Sequence, residues 1–95
     1  MYSNNLTQKW RVSNEVLSGK IDDEFILMSI EADSYFGIDL IGSQIWEILS
    51  QQAATINDLV KILVEDYEVN DETCRKGIEV FISELSEKKL IIKVD

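Results

Sequence analysis

Three consecutive carboxylates, Asp22, Asp23 and Glu24, and one thiol, Cys74, are the side chains whose type most invites chemistry. Hard cations are held by several oxygen ligands at set intervals, and three adjacent acids lack the spacing of a calcium loop. They read as a solvated, charged turn. A cysteine nucleophile needs a base beside it, and the chain contains no histidine, which removes the usual partner of a Cys or Ser nucleophile and the commonest zinc ligand. A single thiol cannot build a structural zinc site. Gly19, Gly37, Gly42 and Gly77 stand too far apart for a phosphate-cradling loop. The chain is therefore expected to be non-catalytic, with no cofactor and no metal, and its functional residues must be sought among groups that bind.

Charge narrows the class of partner. Eighteen acidic residues against nine basic ones give a formal net charge of −9, which repels a phosphate backbone and favours a neutral or basic polypeptide. One cysteine allows no internal disulfide, and the first residues lack the basic and apolar regions of a secretory signal. Both observations lead to a cytoplasmic expectation. No apolar run approaches the roughly 20 residues of a membrane span. Ninety-five residues with 45% apolar content and no proline suit a single domain over 1–95, with residues 1–9 as a loose end.

The elements follow from periodicity. Val16–Ile21, residues 25–31 and residues 35–38 are rich in β-branched and aromatic types and are separated by short polar turns, which predicts an antiparallel meander with its third strand at an edge. Asp39 then caps a helix carrying Ile41, Ile45, Trp46, Ile48 and Leu49, with Trp46 read as core. Thr55, with Asp58 three residues on, caps a second helix. Asp71 caps a third over residues 71–89, and residues 90–94 form a short extended end. Strands followed by helices predict an α+β domain.

The third helix carries more apolar surface than one contact needs. Advancing 100° per residue, its apolar positions extend from Ile82 through Ile78, Leu85, Cys74 and Phe81, past Gly77, to Val80, an arc of about 200°. Cys74 reads as a small hydrophobe there. Gly77 lowers helix stability by about 1 kcal/mol relative to alanine, which predicts a close approach to the backbone at that point. Gly37 likewise strips a side chain from the third strand. An unpaired strand edge beside spare helical surface is a place where an extended peptide adds a strand.

The runs SYFGIDLIGSQIWEIL, TINDLVKILVEDYEV and VFISELSEKKLI closely resemble the PqqD-like family, the small recognition domains of ribosomal peptide natural-product pathways. The nearest likeness is to freestanding recognition proteins of lasso peptide pathways whose maturation protease is split in two. The family pattern of an aromatic strand, a Leu-Asn step, then Gly-Ser and Ile-Trp on the first helix is carried by Tyr35, Phe36, Gly37, Ile38, Asp39, Gly42, Ser43, Ile45 and Trp46, with Asp39 in place of the asparagine. The resemblance spans residues 16–92.

What the resemblance implies is a winged helix-turn-helix-like fold whose third strand accepts the leader of a precursor peptide. The strand side of the site is then Ser34, Tyr35, Phe36, Gly37 and Ile38, and the helix wall Cys74, Gly77, Ile78, Phe81 and Ile82. A separate cysteine protease and an ATP-dependent cyclase are the implied enzyme partners, with service to a radical-SAM peptide-modifying enzyme as the alternative. Glu79 and Glu84 beside the groove suggest some basic character in the leader. A DNA-binding regulator would use the helix at 55–66, where Lys61 stands among Asp58, Glu65 and Asp66, a poor match to phosphate. Neither nucleic acid nor membrane is an expected partner.

Overall fold

The computed structural model of the protein describes residues 7–67 and 69–94. In chain order the elements are β1 (Lys9–Val12), β2 (Val16–Ile21), β3 (Glu24–Ser29), β4 (Ser34–Gly37), α1 (Leu40–Gln51), α2 (Ile56–Tyr67), α3 (Asp71–Glu87) and β5 (Ile91–Val94). The meander predicted from the sequence is the three-stranded antiparallel sheet β2-β3-β4, and three helices follow it in an α+β, winged helix-turn-helix-like arrangement. A second, two-stranded sheet, β1-β5, joins the two ends of the described chain, with Lys9 opposite Val94 and Val12 opposite Ile91. Strand β1 was not expected; its four residues carry no period by themselves, and only the distant partner β5 makes them a strand. The expected loose end falls partly on residues 1–6, which lie outside the described residues.

Local chemistry sets the boundaries. β2 and β3 are joined by Asp22 and Asp23, Asp22 at a φ of 58°, a region aspartate enters more readily than most residues. The Asp39 carboxylate accepts from the Gly42 N–H at 2.8 Å and so caps α1. Thr55 and Asp58 cap α2 reciprocally, each side chain accepting from the other's N–H at 3.0 Å. At α3 the cap is Asn70, whose side chain accepts from the Thr73 N–H, and not Asp71, which is the first helical residue. Either side chain can cap; the one-residue shift places Asp71 in the first turn, where its charge favours the helix dipole. α3 ends with Leu90 N–H on Leu85 O and Lys89 N–H on Ser86 O, Lys89 taking the positive φ (59°) that this ending requires.

The core lies between the helices and the inner face of the larger sheet. Trp46 is 1% exposed, packed with Ile45, Leu49, Leu59, Leu63, Ile82 and Leu27, which settles Trp46 as a core residue. Trp10, 2% exposed, closes the other end, its backbone exchanging hydrogen bonds with Ala54 at 2.8 and 3.0 Å. Period-2 alternation sends Phe25, Leu27 and Phe36 inward and Ile26, Met28 and Tyr35 outward.

Candidate functional site: an open strand edge beside an apolar cavity

The edge can be read bond by bond. β3 and β4 pair Leu27 with Phe36 and Met28 with Tyr35, and the Ile38 N–H reaches Phe25 O at 3.0 Å. In an antiparallel ladder the hydrogen-bonded pairs alternate, so Phe36 turns its backbone groups and Ile38 its N–H toward β3, while the groups of Tyr35 and Gly37 point away from the sheet. β5, the strand free to cover them, pairs with β1 instead. The outer edge of β4 thus carries two N–H and two C=O groups with no strand beside them among the described residues.

Where β4 ends, the chain turns through Ile38 and Asp39 into α1, and there a cavity of 370 Å³ opens between α1, α2 and α3. Its walls are predominantly apolar: Ile41 and Ile45 from α1, Leu63 and Tyr67 from α2, and Cys74, Gly77, Ile78 and Phe81 from α3. Asp39 and Glu84 bring carboxylates to it. That volume lies within the range of pockets that take a small ligand or a bulky side chain. Four of the helix residues expected at the site, Cys74, Gly77, Ile78 and Phe81, meet in this cavity. Ile82 does not line it; at 0% exposure it belongs to the core behind. Ser34 to Ile38 stand beside the cavity and not in it, with Phe36 lining a smaller recess under the Lys88 ammonium, which lies 5.8 Å from the ring. Glu79 is absent from the lining, whereas Glu84 is part of it.

The glycines correct the sequence reading. Nothing lies within 4 Å of a Cβ built on Gly77, so this residue leaves open space in the cavity where a side chain would stand, and no close approach requires glycine there. Close approach occurs at Gly42, where an added Cβ would sit 3.0 Å from Phe81 Cζ. Gly42 lets the Phe81 ring lie against α1 and become a wall, which explains why glycine precedes Ser43 in this segment. Buried Ser43 then locks α1 to the sheet, its Oγ accepting from the Phe25 N–H at 2.8 Å and donating to Ile38 O at 3.3 Å. The α1 and α2 contribution, Ile41, Ile45, Leu63 and Tyr67, was missed from the sequence. Ile41 gave no separate signal, since at i, i+4 and i+8 it continues the stripe of Ile45 and Leu49.

Cys74 is half-buried, and burial pushes its thiol above the usual value, with Asp71 adding to the rise and Arg75 opposing it. At neutral pH it stays protonated and presents an apolar surface.

Three comparisons place this geometry. A comparison with curated protein sequences finds no match. Among solved structures, TbiB1 in complex with the TbiA(beta) leader peptide is 31% identical, with a TM-score of 0.80 over 85% of this chain and 93% of that one. A lasso peptide synthetase B1 complexed with the leader peptide shares the fold at 18% identity, with a TM-score of 0.76 over 87% and 96%. The family described as coenzyme PQQ synthesis protein D matches residues 24–91, from the start of β3 to the start of β5, so every element that builds the edge and the cavity lies inside the match, and the chain belongs to the PqqD family.

Proposed function

We propose that this protein binds the leader segment of a ribosomally made precursor peptide and presents it to separate enzymes of lasso peptide biosynthesis, a cysteine protease and an ATP-dependent cyclase. The leader adds to β4 as a further antiparallel strand. The observation that carries this reading is the vacant backbone row of Tyr35 and Gly37 ending at the apolar cavity, in a chain similar over most of its length to a leader-bound protein. The protein itself acts by holding and orienting a peptide, without catalysis, and works in the cytoplasm, where precursors are made.

Magnitudes assign the division of labour. Four backbone hydrogen bonds at about 1 kcal/mol net each give only about millimolar affinity, before the ordering of a disordered leader is counted. Apolar anchors must therefore supply the useful affinity and the selectivity. One bulky leader side chain enters the cavity against Phe81, Ile78 and Cys74, and Glu84 and Asp39 at its margin favour a basic neighbour. Duplex DNA fits poorly, since α2 exposes Lys61 among Asp58, Glu65 and Asp66.

Titration with the precursor leader while recording backbone amide shifts tests this. The expected result is a contiguous set of shifts at Tyr35, Gly37, Gly77 and Phe81. Shifts confined to α2 or to the β2 side of the sheet, at peptide concentrations that saturate binding, would overturn the placement.

A further inference from the structure

On the side of the sheet facing away from the helices lies a second apolar surface, which leader binding does not use. Leu17, Ile21, Ile26, Met28 and Tyr35 alternate onto this face, joined at its end by Leu40. Leu17 is 57%, Ile21 65% and Tyr35 72% exposed. A Cβ at Gly19, in the middle of the face, would meet nothing within 4 Å. The centre of the face carries no charged side chain, and its ends are acidic: Asp22, Asp23 and Glu24 stand in one turn and Asp33 in the other, whose Glu31 turns instead to Lys89 at 3.8 Å. Charge depleted from the centre and gathered at the rim is the usual anatomy of a protein interface.

From this arrangement we infer that the outer sheet face docks the leader-cleaving protease, through an apolar patch on that enzyme ringed by lysine and arginine. The inference rests on the leader-binding reading above. Two observations select the occupant. A second copy of this chain would bring acidic rim against acidic rim, in a molecule of net charge −9, whereas a basic rim is drawn in and oriented. The face is also continuous with the leader's binding edge. Tyr35 belongs to both: its backbone faces the incoming strand and its side chain the outer face. A leader paired to β4 extends this same surface by one strand, placing an enzyme seated there beside the peptide it must cut.

Full-length protein loaded with leader is titrated with the purified protease, and leader affinity is measured separately by fluorescence anisotropy. Ile21→Glu and Leu17→Glu, both on the exposed strand and outside the leader site, are each expected to weaken protease binding at least tenfold while leaving leader affinity within twofold; amide spectra check that each variant is folded. Asp22→Lys is expected to weaken binding less and to flatten its salt dependence. Unchanged protease affinity in both glutamate variants overturns the inference. So does absence of protease binding by the wild-type protein, loss of cyclase binding in place of protease binding, or sedimentation showing a wild-type dimer that Ile21→Glu dissolves. Loss of the leader reading would appear elsewhere, as no anisotropy change in the wild type.

Discussion

Strands β2 and β4 both border the larger sheet, and both leave a row of backbone groups without a strand partner, yet their surroundings differ. Along β4 the row ends at a cavity walled by Phe81, Ile78 and Cys74, and Phe36 and Ile38 pack into the core on its inner side. Along β2 the pairing leaves the backbone groups of Ser18 and Lys20 facing outward, while the Val16 N–H is taken by Ser13 O at 3.3 Å. Lys20 reaches across to Glu47 on α1 at 3.5 Å and lies 5.1 Å from the Phe25 ring, a charged side chain on the border strand. Lysine at an edge discourages strand addition, and the recess that adjoins β2 at Ile21, Ile26 and Leu40 is lined by the carboxylates of Asp22, Asp23 and Glu24 as well. Free backbone groups are thus common to both edges and confer no selectivity; the neighbouring helix does.

That contrast can be broken most severely at Phe81. Phe81→Ala removes the wall that Gly42 accommodates, and leader affinity is expected to fall about 30-fold or more, as for a buried aromatic anchor. Lys61→Ala on α2 should change it less than twofold; calorimetry that finds equal losses removes the cavity from the site. A pair of proline substitutions compares the edges directly. Gly37→Pro deletes a free N–H on β4 and is expected to weaken leader binding about tenfold or more, whereas Ser18→Pro, deleting the corresponding donor on β2, should leave it unchanged. Thermal melts of the two variants separate folding from binding. A reversed order would move the peptide to β2.

The two helical glycines sharpen the account further. Gly77→Ala meets open space, so it should raise stability by about 1 kcal/mol while weakening the leader, whose anchor shares that space. Gly42→Ala gains the same helix propensity but drives a methyl group to 3.0 Å from the Phe81 ring, and the expected net loss is about 1 kcal/mol. Denaturant midpoints of the two variants should therefore move in opposite directions. The smallest effect concerns Cys74. Its folded-state pKa is raised, so the folded protein holds the thiol proton more tightly than the unfolded chain does. The resulting stability is complete below the unfolded value and declines as pH rises through the folded one. Cys74→Ala should remove that alkaline decline, measurable by denaturation above pH 9.

Features decided within a few residues were legible without coordinates. β2 lies at the predicted bounds, the caps at Asp39 and at Thr55 with Asp58 are as expected, and Trp46 lies in the core, because alternation, capping and a helical stripe are properties of neighbouring side chains. The open edge of β4 was also inferable, since the last strand of a short meander has nothing adjacent in sequence to cover it. Asn70 displaced Asp71 as a cap because two capping residues in succession leave the choice to the packing of the helix.

Sequence by itself determined an acidic α+β domain with a strand edge, a helix apolar over more than one face, and no histidine-based chemistry. Only the tertiary structure decided that β1 pairs with β5, so that among the described residues neither strand covers β4, and that Phe81 meets Gly42 while Gly77 faces open space. Those contacts join residues some 40 to 80 positions apart, and their geometry depends on the close packing of every helix between them, which no local pattern of residue types encodes.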